Sequence, residues 1–155
     1  MKGDQKVIDE LNARLIEELT AINQYMVHAE MCENWKYARL YDEIRKRSIV
    51  EMKHAEKLIE RILYLEGRPI VSKLNEIHIG QVVPDMHKHD LGAEQAAVKG
   101  YNASAKIADE AGDRGTKDIL EAILAEEEGH VDWLEAQFDQ INQVGLENYL
   151  SEQIR

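Results

Sequence analysis

Apolar residues recur along this chain at spacings of three and four, the period of a helix buried along one face. Over about residues 5–33 the stripe reads Ile8, Leu11, Leu15, Glu18, Ile22, Tyr25 and Ala29. Over about 36–65 it reads Ile44, Ser48, Glu51, His54, Leu58, Ile62 and Leu65, and Gly67 and Pro69 stop it. A third helix begins near Pro84, since proline is tolerated in a first turn, and carries Leu91, Glu94, Val98, Tyr101, Ala105 and Ala108. The glycines of "EAGDRG" (110–115) mark a turn. A fourth helix over about 116–143 shows Leu120, Ile123, Glu127, His130, Leu134, Phe138 and Ile141, and Gly145 ends it. "LENYLSEQIR" has room only for a short fifth helix, too brief to stand alone.

The connection between the second and third helices decides the topology. A 30-residue helix is ~45 Å long, and some 15 residues of extended chain reach ~50 Å. "GRPIVSKLNEIHIGQVV", which has no regular pattern, can therefore run the length of a bundle and join two parallel helices. The other connections are short and imply antiparallel neighbours. The prediction is an all-α four-helix bundle with one long central crossover.

Each stripe contains a carboxylate where an apolar residue belongs: Glu18, Glu51, Glu94 and Glu127. His54 and His130 follow the second and fourth of these at i+3. An isolated buried carboxylate costs several kcal/mol or becomes neutral, so four converging in one core require positive charge. A shift of 76 residues maps Glu18 onto Glu94, Tyr25 onto Tyr101, Glu51 onto Glu127 and His54 onto His130. The halves are then related by a pseudo-twofold axis through the site. That suits two metal ions, each with one histidine and one terminal glutamate, bridged by two more glutamates. Two divalent ions cancel the four negative charges. Carboxylate and imidazole without thiolate suit iron or manganese, and zinc also fits. One glutamate from each of two helices plus ExxH from each of the other two is the known carboxylate-bridged di-metal pattern. A single ExxH is weak, because Glu and His are common on helices; two copies in register with two more in-stripe glutamates are not.

Charge and composition narrow the partners. The formal net charge of −11 disfavours nucleic acid and anionic membrane and favours cations. Cys32 is the only cysteine, which excludes an intrachain disulfide and a CxxC metal site. "MKGDQKVIDEL" lacks the apolar stretch of a signal peptide, and no apolar run of ~18 residues exists, so a cytoplasmic location is expected.

Over nearly its whole length the chain resembles the bacterioferritins, through "MKGDQKVI", "ELTAINQY", "EMKHAEKLIERILYLEG", "EEEGHVDWLEAQFD" and "GLENYL". The resemblance implies a ferritin-like four-helix bundle with one long crossover connection and a short fifth C-terminal helix, residues 1–155 forming a single ferritin-like di-iron domain. It implies a hollow 24-subunit shell, built from dimers, that oxidises Fe(II) and stores the ferric product. The ferroxidase ligands would fall on Glu18, Glu51, His54, Glu94, Glu127 and His130, with Glu51 and Glu127 bridging. Oxygen or hydrogen peroxide would take one electron from each iron. The iron then moves to the cavity or stays as a redox cofactor, for members differ.

Met52 matches the family's haem ligand, so two copies from twofold-related subunits would supply both axial thioethers to one haem b. Ile22, Asn23 and Trp35 match positions near that haem, and a ferredoxin is the expected reductant for iron release. Met26 and Arg45 stand where many members carry aromatics, and Arg45 either pairs with a propionate or crowds the pocket. Lys46 and Val50 replace a His and an Asp that form an inner-surface iron site in some members. Tyr101 replaces an apolar residue; it is read either as a core tyrosine with a hydroxyl partner or as a second aromatic near the metals. Tyr25 is expected near the site, in a structural or a redox role.

The remaining histidines, His28, His78, His87 and His89, read as solvated or locally bonded; His87 and His89 lie two apart, which is poor ligand geometry on a helix. Glu126 and Glu128 are expected on other faces than Glu127. Two competing readings use the same chain: a non-storage di-metal oxidase or peroxidase with the same ligands and no shell, and a helical interaction protein whose stripe residues merely pair with one another.

Overall fold

The computed structural model describes residues 1–155, which form five helices and no strand: α1 (Gln5–Asn34), α2 (Ala38–Tyr64), α3 (Val83–Glu110), α4 (Arg114–Val144) and the short α5 (Leu146–Ser151). The predicted boundaries agree to within two residues at most ends, because the caps are local. The Asp4 carboxylate accepts from the Lys6 N–H at the start of α1, and Asp113 accepts from the Thr116 N–H at the start of α4. Pro84 lies in the first turn of α3. Gly145, at φ +82°, takes the left-handed conformation that lets the chain turn from α4 into α5.

α1 packs on α2, α3 on α4, and α1 on α3. Bonds between elements fix the directions. Tyr25 meets Glu94 while Arg14 meets Ser104, so α1 and α3 are antiparallel. Arg47 meets Asp90 and Arg61 meets Asp113, which sets α2 parallel to α3 and antiparallel to α4. This is the bundle with one long crossover that the spacing predicts.

Two apolar cores fill the bundle. One contains Leu11, Leu15, Leu58, Ile62, Leu120 and Ile123. The other contains Tyr25, Ala29, Ile44, Met86 and, from α5, Tyr149. Glu18, Glu51, Glu94 and Glu127 fall between them on their helices, so a polar layer separates the two cores.

The crossover is pinned along α1 by buried polar side chains. Asn12 bonds both the Arg68 carbonyl and the Ile70 N–H, at 3.1 and 2.8 Å. The Asn75 N–H donates to Thr20 Oγ1, the His78 N–H to Gln24 Oε1, and the Gly80 N–H to His28 Nε2, at 2.9, 3.1 and 2.9 Å. A Cβ at Gly80 would collide with the backbone of Met86, so only glycine brings the chain this close. His28 and His87, expected to be solvated or locally bonded, are wholly buried and bonded across elements instead. His28 Nε2 accepts from Gly80, so its Nδ1 carries the proton and donates to Asp90 Oδ1 at 2.9 Å. The Tyr149 hydroxyl donates to Gln137 at 2.7 Å, so His87 Nε2–H donates to that hydroxyl at 3.0 Å and holds α5 on the bundle. Burial, with Arg47 nearby, pushes the His87 pKa down to about 4.

Candidate metal centre

All six residues predicted from the stripes meet in the polar layer. Glu18, Glu51, His54 and Glu127 form one cluster whose ligand atoms lie within 4.8 Å of one another; Glu51, Glu94, Glu127 and His130 form a second. Glu51 and Glu127 belong to both. Five of the six are buried, and His130 is 17 % exposed.

Protons alone do not satisfy these side chains. His130 Nδ1 lies 2.9 Å from Glu51 Oε1, and His54 Nδ1 lies 3.1 Å from Glu127 Oε1. Yet His130 Nδ1, Glu51 Oε1 and Glu127 Oε1 reach no hydrogen bond of proper geometry, and neither do Glu18 Oε2 and Glu94 Oε2. Buried polar atoms are almost always partnered. Five such orphans converging in one layer have the donor set and spacing for cations.

The electrostatics agree. Burial, reinforced by neighbouring carboxylates, raises the Glu18 and Glu51 carboxyls, and lifts Glu127 to about 9 against the pull of the nearby His54 ring. Burial would raise Glu94 too, but the His130 imidazole, whose Nδ1 lies 3.3 Å away, outweighs it by its proximity and charge and holds Glu94 at about 2. Burial depresses both imidazoles, and their carboxylate partners more than reverse this: His130 rises to about 9 and His54 further. Without cations the layer holds protons, which bound cations would displace.

Two tyrosines brace the layer crosswise. Tyr25 of α1 donates to Glu94 Oε1 of α3 at 2.6 Å, and Tyr101 of α3 donates to Glu18 Oε1 of α1 at 2.5 Å. Burial, together with those carboxylates, pushes both phenols well above their usual pKa, so they remain donors. The 76-residue repeat thus extends to the tyrosines. Tyr101 satisfies both of its sequence readings: it is a core residue with a hydroxyl partner, and that partner belongs to the cluster.

Glu126 lies on another face than Glu127, as expected, but it has a part in the site that the sequence reading did not give it. Half-exposed and outside both clusters, it accepts from His54 Nε2 at 3.1 Å, so that Nδ1, once it gives up its proton to a cation, faces Glu18, Glu51 and Glu127. An outer carboxylate of this kind fixes the tautomer and orientation of a ligand histidine. Its only sequence signal was its place beside Glu127.

Met52 stands apart from this cluster. It lies on the outer side of α2, 46 % exposed, one turn beyond Ser48, whose Oγ bonds the Ile22 carbonyl of α1 at 3.2 Å. Met26 and Trp35 are also exposed, at 50 % and 37 %.

Comparison with known proteins agrees with this architecture. Residues 8–144 match the family model of the ferritin-like domain. The chain is 43 % identical over 149 residues to the bacterioferritin of Brucella melitensis biotype 1, covering 96 % of this chain and 92 % of that one. It is 44 % identical, at the same coverage, to the bacterioferritin of Rhodobacter capsulatus. Against the bacterial ferritin of Pseudomonas aeruginosa it is 40 % identical over 155 residues, 99 % of this chain and 100 % of that one. The chain belongs to this ferritin-like family, as one of its bacterioferritins.

Proposed function

We propose that the protein oxidises Fe(II) at the six-residue layer and stores the ferric product inside a shell made of its own copies, in the cytoplasm. The observation that carries this reading is the pair of overlapping clusters sharing Glu51 and Glu127, with orphaned oxygens turned into the space between them. Two Fe(II) ions are the substrates. Glu18 and His54 hold one, Glu94 and His130 hold the other, and Glu51 and Glu127 reach both. The four carboxylates cancel the charge of the two ions. Oxidation adds one positive charge to each, so these same anionic oxygens favour product over substrate.

With hydrogen peroxide as oxidant, each Fe(II) gives one electron, the O–O bond breaks, and two hydroxide ions form. The protein's part is positioning and electrostatics, with no nucleophilic side chain. Tyr25 and Tyr101 hold Glu94 and Glu18 by their second oxygens, and Glu126 holds the ring of His54. Exposed Leu63, Val71, Leu74 and Val82, at the end of α2 and along the crossover, offer apolar surface for assembly with further copies.

The residues around Met52 fit a haem held between two copies, since the thioether and the apolar Met26 and Trp35 face outward on the α1–α2 side. Met52 and its counterpart in a second copy would hold it through their thioethers. Bound haem would add a one-electron carrier.

The test is stopped-flow oxidation of Fe(II) in air and with added peroxide. Glu18→Gln with Glu127→Gln should slow the initial phase at least about a hundredfold; an unchanged initial rate refutes the reading. Met52→Leu should remove the bis-thioether haem spectrum while Fe(II) oxidation stays within about twofold. Retention of that spectrum would show the axial ligand to be another residue.

A further inference from the structure

A cavity of about 420 Å³ opens between α1, α3 and the crossover and reaches the metal layer. Glu18, Glu51 and Glu127 line its buried end, and Glu76, His78 and His89 line its outer end. Its walls carry five glutamates against a single lysine, Lys88, so the passage favours cations.

His78 on the crossover and His89 on α3 stack at the outer end, ring centroids 5.5 Å apart and planes 23° from parallel. Neither imidazole has a hydrogen bond or an ion pair within the chain; the one bond His78 makes runs through its backbone N–H. The backbones beneath the rings are firmly placed. Gln24 Oε1 accepts the His78 N–H, and Gln24 Nε2 donates to Asp90 Oδ1, one residue beyond His89. Asp90 is itself held by Arg47 at 2.6 Å. The fold therefore fixes the spacing of two imidazoles whose ring nitrogens are free, at the mouth of an acidic passage. Imidazole suits Fe(II) and its first-row neighbours. Two neutral nitrogens completed by water hold such an ion less strongly than four carboxylates do, so an ion taken up here is passed inward rather than retained.

We propose that His78 and His89 form an outer capture site for a divalent transition-metal ion, Fe(II) in the working protein, from which the ion moves down the cavity to Glu18. As a route for substrate this rests on the function proposed above; as a binding site it does not. The sequence weighed His89 only beside His87 and read both as solvated or locally bonded, whereas the fold sets His89 against His78.

The test is an anaerobic titration of the full-length protein with Co(II), followed by its visible absorption. In a Glu18→Gln/Glu127→Gln background, adding His78→Gln/His89→Gln should remove one bound Co(II) per chain. Equal stoichiometry with and without the histidines, or no Co(II) bound in the background, overturns the capture site whatever the inner layer does. With the inner layer intact, His78→Gln/His89→Gln should raise the Fe(II) concentration for half-maximal oxidation about tenfold and leave the saturated rate within about twofold. An unchanged half-maximal concentration would overturn the route. A wild-type chain that fails to oxidise Fe(II) at any concentration counts against the proposed function instead, and the Co(II) titration still decides the histidine pair.

Discussion

Two buried polar systems lie side by side in this bundle, and they are built on opposite rules. The ladder of Asn12, Thr20, Gln24 and His28, with Asp90 and Arg47, closes on itself. Both Asp90 oxygens are bonded, by Gln24, His28 and Arg47, and both His28 nitrogens are used. The nitrogens that Arg47 leaves unbonded accompany a guanidinium stacked 4.4 Å from the ring centroid of Tyr25 and 5.4 Å from that of Trp133. The metal layer does not close: its carboxylates outnumber its histidines and oxygens remain orphaned. The repeat separates the two systems as well. A shift of 76 residues carries the metal layer onto itself, but it carries Asn12, Thr20, Gln24 and His28 onto Lys88, Ala96, Gly100 and Ser104. One system holds the crossover, of which there is one; the other forms two overlapping clusters.

The contrast can be broken from either side. The largest stability effect should come from Asp90→Ala, which strands the Arg47 charge in the interior. Denaturant unfolding should show a loss of about 3–5 kcal/mol, and a loss under 1 kcal/mol would show that the ladder is not a closed unit. Next comes acid. The His87 pKa in the fold is about 4, below its ordinary value of 6.5, so below pH 6.5 the unfolded chain takes up this proton first. Stability is then full above pH 6.5 and lost as pH falls towards 4, by about 3 kcal/mol from this residue. His87→Gln, compared with wild type across that range, should show a correspondingly flatter fall.

In the metal layer the sign reverses. Glu18→Gln/Glu127→Gln should stabilise the metal-free protein, by roughly 1–3 kcal/mol, because it relieves crowded carboxyl groups. A lower melting temperature would mean that these carboxylates serve the fold. The smallest effect is expected from Glu126→Gln, which loosens the His54 ring without removing a ligand. Anaerobic Co(II) titration should show affinity for the cluster containing His54 falling about tenfold.

What the sequence revealed follows the same division. The metal layer was legible because its residues interrupt the 3.6-residue stripe and do so twice, 76 residues apart. The ladder was not legible. Its members follow a four-residue spacing, which advances about 40° around the helix at each step and so leaves the apolar face. They resemble ordinary solvent-facing residues until the crossover lies over them. Asp90 and Arg47, on different helices, carry no pattern at all. The contact of Glu126 with His54 and that of His78 with His89 were missed because each joins residues far apart in the chain.

The crosswise bracing by the tyrosines bears on how such a protein can originate. Each half of the bundle supplies the hydroxyl that steadies a carboxylate of the other half. Two identical helical hairpins, associated about a true twofold axis, could make the same exchange without being joined. Duplication and fusion of one hairpin gene would then give the whole constellation at once, tyrosines included. The long crossover would be the only part that had to be invented, with a ladder on one half alone to receive it.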